Sequence, residues 1–210
     1  MELQRIRRQI AATQVWRGTP LGEAGDMSTH ERRQAHAVLG RTIRPAGVLI
    51  LLVERDDALN VVLTQRTAHL HDHAGQISFP GGRQDAEDAD IVATALREST
   101  EEIGTDSSRI EVVGTLPNYV TVTAYEVTPV VATSAPQQYR VDPFEVADVF
   151  EVPLAHVLDD RNWRRDNFMR DGKRREYWAV PWRERYIWGA TAGMLKNLHF
   201  ILTAKETEAV

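Results

Sequence analysis

The chain has 210 residues, 42% of them hydrophobic and 26% charged, with a net charge of −5. This is the balance of a globular domain large enough for a substantial core. The absence of cysteine excludes disulfides, thiolate catalysis and thiolate-bound zinc, and the acidic excess argues against a general nucleic-acid binder.

Residues 2–13 and 29–39 read as helices, joined through a turn at Gly18-Thr19-Pro20-Leu21-Gly22. They form an expected helical extension over 1–42, with 29–39 serving as a lid or as a dimer element, so a homodimer stays open. The apolar run Ala46 to Val53 is far too short to span a bilayer. The start MELQRIRRQIAATQVW has positive charge but no apolar stretch of the kind a signal peptide needs. A cytoplasmic protein without a membrane partner is expected.

Pro45 introduces Gly47 to Val53, whose continuous apolar character suits a strand covered on both faces. Glu54-Arg55-Asp56-Asp57 reads as a turn and Asn60 to Gln65 as the returning strand of a hairpin. Ile110 to Leu116, Tyr125 to Ala132 and Val146 to Val152 read as further strands. Pro153 opens a short helix at 154–158. Asp171-Gly172 turns a hairpin between 163–170 and 174–181, and Ile187 to Leu202 is the last helix. Strands interleaved with helices predict the α/β class, as an α/β/α sandwich around a mixed β-sheet over 43–203, with a tail at 204–210.

The stretch FPGGRQDAEDADIVATALRESTEEIG, residues 79–104, carries the chemistry. At about 100° per residue, Glu98, Glu101 and Glu102 share one face of a helix, while Val92, Leu96, Ser99 and Ile103 share another. Arg97 precedes Glu101 by four residues, the weaker orientation for such a pair. Gly104 reads as the C-cap, which puts Glu101 and Glu102 in the last turn, where the helix dipole disfavours anions. An acidic helix face is more often solvated surface than a ligand set. The preceding Phe79-Pro80-Gly81-Gly82 loop tips the reading towards chemistry, because adjacent glycines let a backbone approach a ligand closely. A hard cation with oxygen ligands, bridging to substrate phosphates, relieves the charge crowding.

This segment resembles the Nudix box, the signature of hydrolases that cleave nucleoside diphosphates linked to another moiety. Gly82, Arg97, Glu98, Glu101, Glu102 and Gly104 match that pattern. Asp88 stands where the pattern has a glutamate, with one extra residue before Arg97, and Ser99 and Thr105 stand where aliphatics are usual. Upstream, LTQRTAHLHDHAGQISFPGG at 63–82 resembles the signature of the coenzyme A pyrophosphatases within that family, through Leu63, Thr64, Arg66, Gly75, Phe79, Pro80, Gly81 and Gly82. Val62, Thr67 and His71 depart from it, His71 replacing an arginine. Residues 187–193, IWGATAG, resemble a C-terminal segment of the same subfamily.

The resemblance implies hydrolysis of the pyrophosphate bond of coenzyme A or its thioesters with Mg²⁺ or Mn²⁺. Glu98, Glu101 and Glu102 are the implied metal ligands and, with Arg97, the catalytic set. Arg66, Gly81, Gly82, Thr121 and Tyr125 are expected to contact a coenzyme A-like small-molecule nucleotide. A base from a later loop is an alternative, with Glu145, Asp148 and Glu151 as candidates. ADP-ribose or another nucleoside diphosphate derivative is a rival substrate, and a non-catalytic nucleotide sensor is a rival class. Alternating His69, His71 and His73 read as strand or loop surface. The basic segment 161–175, with Trp163 and Phe168, reads first as a solvated hairpin and second as a contact for the extra phosphate of coenzyme A. Trp178, Trp182 and Trp188 read as core or dimer contacts.

Overall fold

The computed structural model describes residues 2–13, 27–69, 75–170 and 172–204. The expected turn at 18–22 and the residues His71 and His73 lie outside them. The helices are α1 (Glu2–Thr13), α2 (Thr29–Val38), α3 (Ile91–Ile103), α4 (Leu154–Leu158) and α5 (Gly189–Thr203). The strands are β1 (Arg44–Arg55), β2 (Ala58–Arg66), β3 (Ile77–Ser78), β4 (Gly81–Arg83), β5 (Ile110–Thr115), β6 (Tyr119–Val120), β7 (Tyr125–Ser134), β8 (Val146–Pro153), β9 (Arg164–Arg170) and β10 (Lys173–Ala179).

Among the described residues, eight strands form one mixed sheet along the path β3-β2-β1-β7-β5, and β9 and β10 form a separate hairpin. β1 is its axis. It runs parallel to β7 from Arg44↔Tyr125 to Val53↔Ser134. Its other edge is divided: β2 pairs with the Leu52–Arg55 half and β4 with Ala46–Val48, in the register Val48↔Gly81, Gly47↔Gly82 and Ala46↔Arg83. The glycine segment expected to be a loop is therefore a short strand. Asp56 and Asp57, both at positive φ, close the β1–β2 hairpin, a conformation that Asp tolerates.

The period-two alternation of β1 feeds two cores. Ile50 and Leu52 pack with Ile6 and Ile10 of α1, Leu154 and Val157 of α4, and Leu195 and Leu198 of α5. Leu49, Leu51 and Val53 pack with Ala95 and Ile103 of α3. Helices on both faces of a mixed sheet make the α/β/α sandwich. Truncating Ile50 or Leu51 to Ala in layers this closed costs about 3 kcal/mol.

The helix α2 packs on the sheet domain. Ser28 and Glu31 form a reciprocal capping box. Thr29 Oγ1 donates to Asn118 O at 3.3 Å, His36 Nε2 donates to Thr121 O at 2.8 Å, and Arg33 pairs with Glu126. At the other end of the chain, Lys196 of α5 is buried beneath Trp163, Trp178 and Phe200, with its ammonium 4.6–4.9 Å from the ring centroids and 3.1 Å from Asp160. Trp163 and Trp178 thereby tie the base of the β9–β10 hairpin to α5.

Candidate active site

Local signals fix both ends of α3. The Asp90 side chain accepts from Ala93 N at 2.8 Å, and Gly104 adopts φ 67° as the left-handed C-cap. The last turn is not left with bare carbonyls: Ile103 O accepts from Arg140 N and Glu102 O from Asp142 N, each at 2.9 Å. These donors offset the partial negative charge that disfavours acids at a helix C-terminus. Ser99 and Thr105, the two departures from the aliphatic pattern, pair with each other through their hydroxyls at 2.8 Å, and Ser99 Oγ also donates to Leu96 O. One departure thus satisfies the other.

The acidic face predicted by helical spacing is divided in the folded chain. Glu102 is only 5% exposed, whereas the Glu101 side chain is 58% exposed. Glu102 Oε2 accepts from Gly81 N at 3.1 Å, and Arg66 Nη1 lies 3.7 Å from Oε1. Burial pushes the Glu102 carboxyl up to about 8. The Gly81 N–H and Arg66 oppose that rise, and the charges of Glu145 and Glu98 add to it. Burial also raises the Glu98 carboxyl, against the pull of Arg97. Glu98 rests on Gly82, where a Cβ would stand 2.5 Å from its carboxyl carbon. Glycine at 82 is a requirement of space.

Arg97 is the hub. Its Nε and Nη2 bond the two oxygens of Asp88 at 2.9 and 3.0 Å, Nη1 bonds Glu101 at 2.9 Å, and Nη2 lies 3.1 Å from Glu98. The pair with Glu101 forms despite its weaker orientation. Asp88 also accepts from Asp85 N and Thr94 Oγ1 at 2.9 Å each. With these donors, and the Arg97 bonds foremost, its carboxyl stays ionised far below the usual range. The residue standing in place of the pattern's loop glutamate therefore braces the arginine that aligns Glu98 and Glu101.

Of the residues singled out in the sequence, the fold gathers Glu98, Glu102, Arg97, Arg66, Gly81 and Gly82 in one place, with Glu101 attached through Arg97. Thr121 and Tyr125 lie at the β6–β7 turn. Thr121 N donates to Tyr125 O at 2.8 Å, Tyr125 N donates to Thr121 Oγ1 at 3.0 Å, and Arg44 covers the Tyr125 ring. Thr121 also accepts from His36 of α2 through its carbonyl. The three later acids separate as well. Asp148 pairs with Arg185, and Glu151 takes Arg55 in a bidentate pair. Glu145 remains beside Glu98 and Glu102, and its backbone carbonyl is held by Thr67 N at 3.0 Å. His69 packs edge-on against Phe144, with ring centroids 5.0 Å apart.

Among the described residues, no three His, Asp or Glu side chains form a ready-made cation cage. The donor set still suits Mg²⁺, which is held by one or two carboxylates and leaves its other positions to water and phosphate oxygens. Buried Glu102 and half-buried Glu98 provide two hard oxygen donors whose own ionisation is suppressed by burial. A divalent cation would favour the charged form of both.

Among the described residues, no helix is long and apolar enough to cross a membrane. The family model of the NUDIX domain matches residues 43–172. Nudix hydrolase NudL of Escherichia coli O1:K1, itself uncharacterized, is 44% identical over 156 residues, 74% of this chain and 81% of the relative. NudL of Shigella boydii serotype 18 matches to the same extent. The crystal structure of the Nudix hydrolase RenU from M. smegmatis is 22% identical over 54% of this chain and 73% of that one, with a TM-score of 0.47. The NUDIX domain of Shewanella oneidensis NrtR, solved in complex with ADP ribose, is 26% identical over 63% and 87% of the two chains, with a TM-score of 0.44. The bracing of the glutamate helix by Asp88 and Arg97, the glycine strand beneath it and the match over 43–172 lead to one conclusion: the chain belongs to the Nudix family of hydrolases, enzymes that cleave phosphoanhydride bonds.

Proposed function

We propose that this hydrolase cleaves the pyrophosphate bond of coenzyme A or its thioesters, giving a phosphopantetheine-type product and adenosine 3′,5′-bisphosphate, with Mg²⁺ or Mn²⁺ as its cation. One observation carries the reading. The segment 63–82, which resembles the coenzyme A pyrophosphatase signature, supplies both Arg66 and Gly81 to the Glu102 carboxylate. Signature and box thus meet at a single side chain.

Nudix hydrolases use divalent metal ions, and such an ion, when bound, activates water and screens the leaving phosphate. The chain's own residues do the rest. Glu98 and Glu102 would hold the cation. Arg97, fixed by Asp88, holds Glu98 in line, and Glu101 completes the acid set from the solvent side of the same guanidinium. Arg66 balances Glu102 and offers a positive charge to a phosphate. The Gly81 N–H holds Glu102, and Gly82, with no Cβ, lets the Glu98 carboxylate lie against β4. Glu145, whose charge acts on Glu98 and Glu102, would take the proton released as water attacks phosphorus.

The test incubates the protein with coenzyme A, ADP-ribose, NADH and Ap4A, with and without Mg²⁺ or Mn²⁺, and identifies the products by mass spectrometry. Preferential turnover of ADP-ribose or of a dinucleotide overturns the substrate assignment. Binding without hydrolysis under any metal moves the chain to the sensor class.

A further inference from the structure

The segment between β7 and β8 is held more closely than a connecting loop requires. Glu145 lies in it, one residue before β8. Its Cα stands between two peptide groups, and every polar atom of both is bonded. Thr67 Oγ1 donates to Phe144 O at 2.8 Å, and Thr67 N donates to Glu145 O at 3.0 Å. Asp142 O accepts from Glu145 N at 3.2 Å and from Val146 N at 2.9 Å. A residue has only two soft backbone dihedrals, and both are set by the planes of its flanking peptides. Thr67 and Asp142 therefore fix the backbone of Glu145 between them.

Both holders are tied in turn to Glu102. Asp142 N donates to Glu102 O at 2.9 Å, and Asp142 Oδ1 accepts from Phe144 N at 2.9 Å. Thr67 follows Arg66, whose Nη1 lies 3.7 Å from Glu102 Oε1. The segment is anchored to the last turn of α3 on one side and to the end of β2 on the other. In keeping with that placement, the charge of Glu145 pushes up the carboxyls of both Glu98 and Glu102.

A bulge brings Thr67 to this position. β2 and β8 pair as Gln65↔Asp148 and then as Arg66↔Val146, so the ladder skips Ala147. In an unbroken ladder Arg66 would face Ala147, and Thr67 would face Val146. With the skip, Thr67 meets Glu145. Bulges of this kind re-aim side chains next to active sites. Thr67 is only 7% exposed, so water does not readily replace a hydroxyl lost there.

We infer that Thr67 is a positioning residue for the hydrolysis. Through its N–H and its hydroxyl it sets the backbone of Glu145, and with it the place of that carboxylate beside the glutamates of α3. The kinetic consequence rests on Glu145 as the proton acceptor; the hold on the backbone does not.

The test uses the full chain and the variants Thr67→Val, Thr67→Ser, Glu145→Gln and the double variant Thr67→Val with Glu145→Gln. Turnover of the preferred diphosphate is measured in saturating Mg²⁺, with a thermal melt for each protein. Thr67→Val is expected to lower kcat about fivefold and leave KM within about twofold. Thr67→Ser, which keeps the hydroxyl, returns kcat to within about twofold of wild type. In the double variant the loss is no greater than in Glu145→Gln alone, because the two residues act as one unit. If Thr67→Val does not fold, Thr67→Ala replaces it in every arm. A second measurement needs no turnover: hydrogen exchange at the Glu145 and Val146 amides speeds up about fivefold in Thr67→Val and stays at the wild-type rate in Thr67→Ser. Unchanged exchange in folded Thr67→Val overturns the inference. So does a wild-type kcat in that variant, a Thr67→Ser as slow as Thr67→Val, or a double variant in which the two losses multiply. A wild-type rate in Glu145→Gln alone instead removes the proton-acceptor reading, and the exchange rates then decide whether Thr67 holds the segment.

Discussion

Gly82→Ala separates chemistry from folding. A Cβ at this position stands 2.5 Å from the Glu98 carboxyl carbon and Oε1, and 2.7 Å from Oε2. Ordinary contact requires at least 3.4 Å, so the carboxylate must retreat by about 1 Å. A displacement of about 1 Å in a positioned group lowers turnover about a hundredfold, equivalent to about 2.7 kcal/mol of activation free energy. Stability changes little, because the obstruction is the far end of a flexible side chain and Gly82 is not among the positive-φ residues. The neighbouring substitution behaves oppositely. Gly81 sits at φ 151°, and its Cβ would meet the Gly47 carbonyl and, at 2.6 Å, Val48 Cα. Those are backbone atoms of the central strand, and Gly81→Ala is expected to cost about 3 kcal/mol of stability. The assay pairs steady-state turnover of the preferred diphosphate in saturating Mg²⁺ with a thermal melt for each variant. If folded Gly82→Ala turns over at the wild-type rate, Glu98 is not positioned for catalysis by that strand and the reasoning fails.

Other outcomes follow from the same geometry. Glu98→Gln and Glu102→Gln each lose turnover by about a hundredfold, measured under the same conditions. The Glu102 carboxyl rises from about 4.5 when unfolded to about 8 in the fold, so between those values the native state binds the extra proton and stability declines as pH rises. Without metal, the melting temperature of wild type should fall by about 5 °C or more from pH 5 to 8, and Glu102→Gln should fall by clearly less, keeping only the smaller dependence left by Glu98; a flat wild-type profile would contradict the buried-acid account. Asp88→Asn loosens Arg97 and weakens metal affinity about tenfold or more, read by Mn²⁺ titration. Glu145→Gln lowers kcat at least about tenfold, whereas Glu151→Gln, at the Arg55 end of the sheet, lowers only the melting temperature; equal kinetic effects would remove Glu145 from the proton-transfer role.

The elements most legible in the sequence were those specified by local chemistry. The apolar run at 47–53 and the turn acids after it gave the β1–β2 hairpin, and Gly104 gave the end of α3. The site was legible as a set of residue types but not as an arrangement. Helical spacing puts Glu101 and Glu102 on one face, yet burial is decided by β4 and by residues 140–142, which arrive from distant parts of the chain. The role of Asp88 depends on a loop that folds back on Arg97, which periodicity does not encode. Glu145, Asp148 and Glu151 look alike in sequence. They separate because Arg185 and Arg55 claim two of them, and because the pairing of β2 with β8 shifts register at Gln65/Arg66. Thr121 and Tyr125 read as pocket residues because they follow a strand; their bonds to each other and the bond from His36 to Thr121 depend on a tight turn and on α2, which that pattern does not encode.

The glycine strand β4 has a further effect on how the chain avoids misassembly. Sliding that strand one step along β1 would bring Pro80 into the place of Gly81, or Arg83 into the place of Gly82, where a hydrogen atom is all that fits beside Val48 and the Glu98 carboxylate. Attraction between backbones cannot discriminate among such neighbouring alignments, because each offers comparable ladder bonds. Exclusion can. The pair of missing methyls therefore acts as a proofreader, admitting the one alignment that also sets the acids in order.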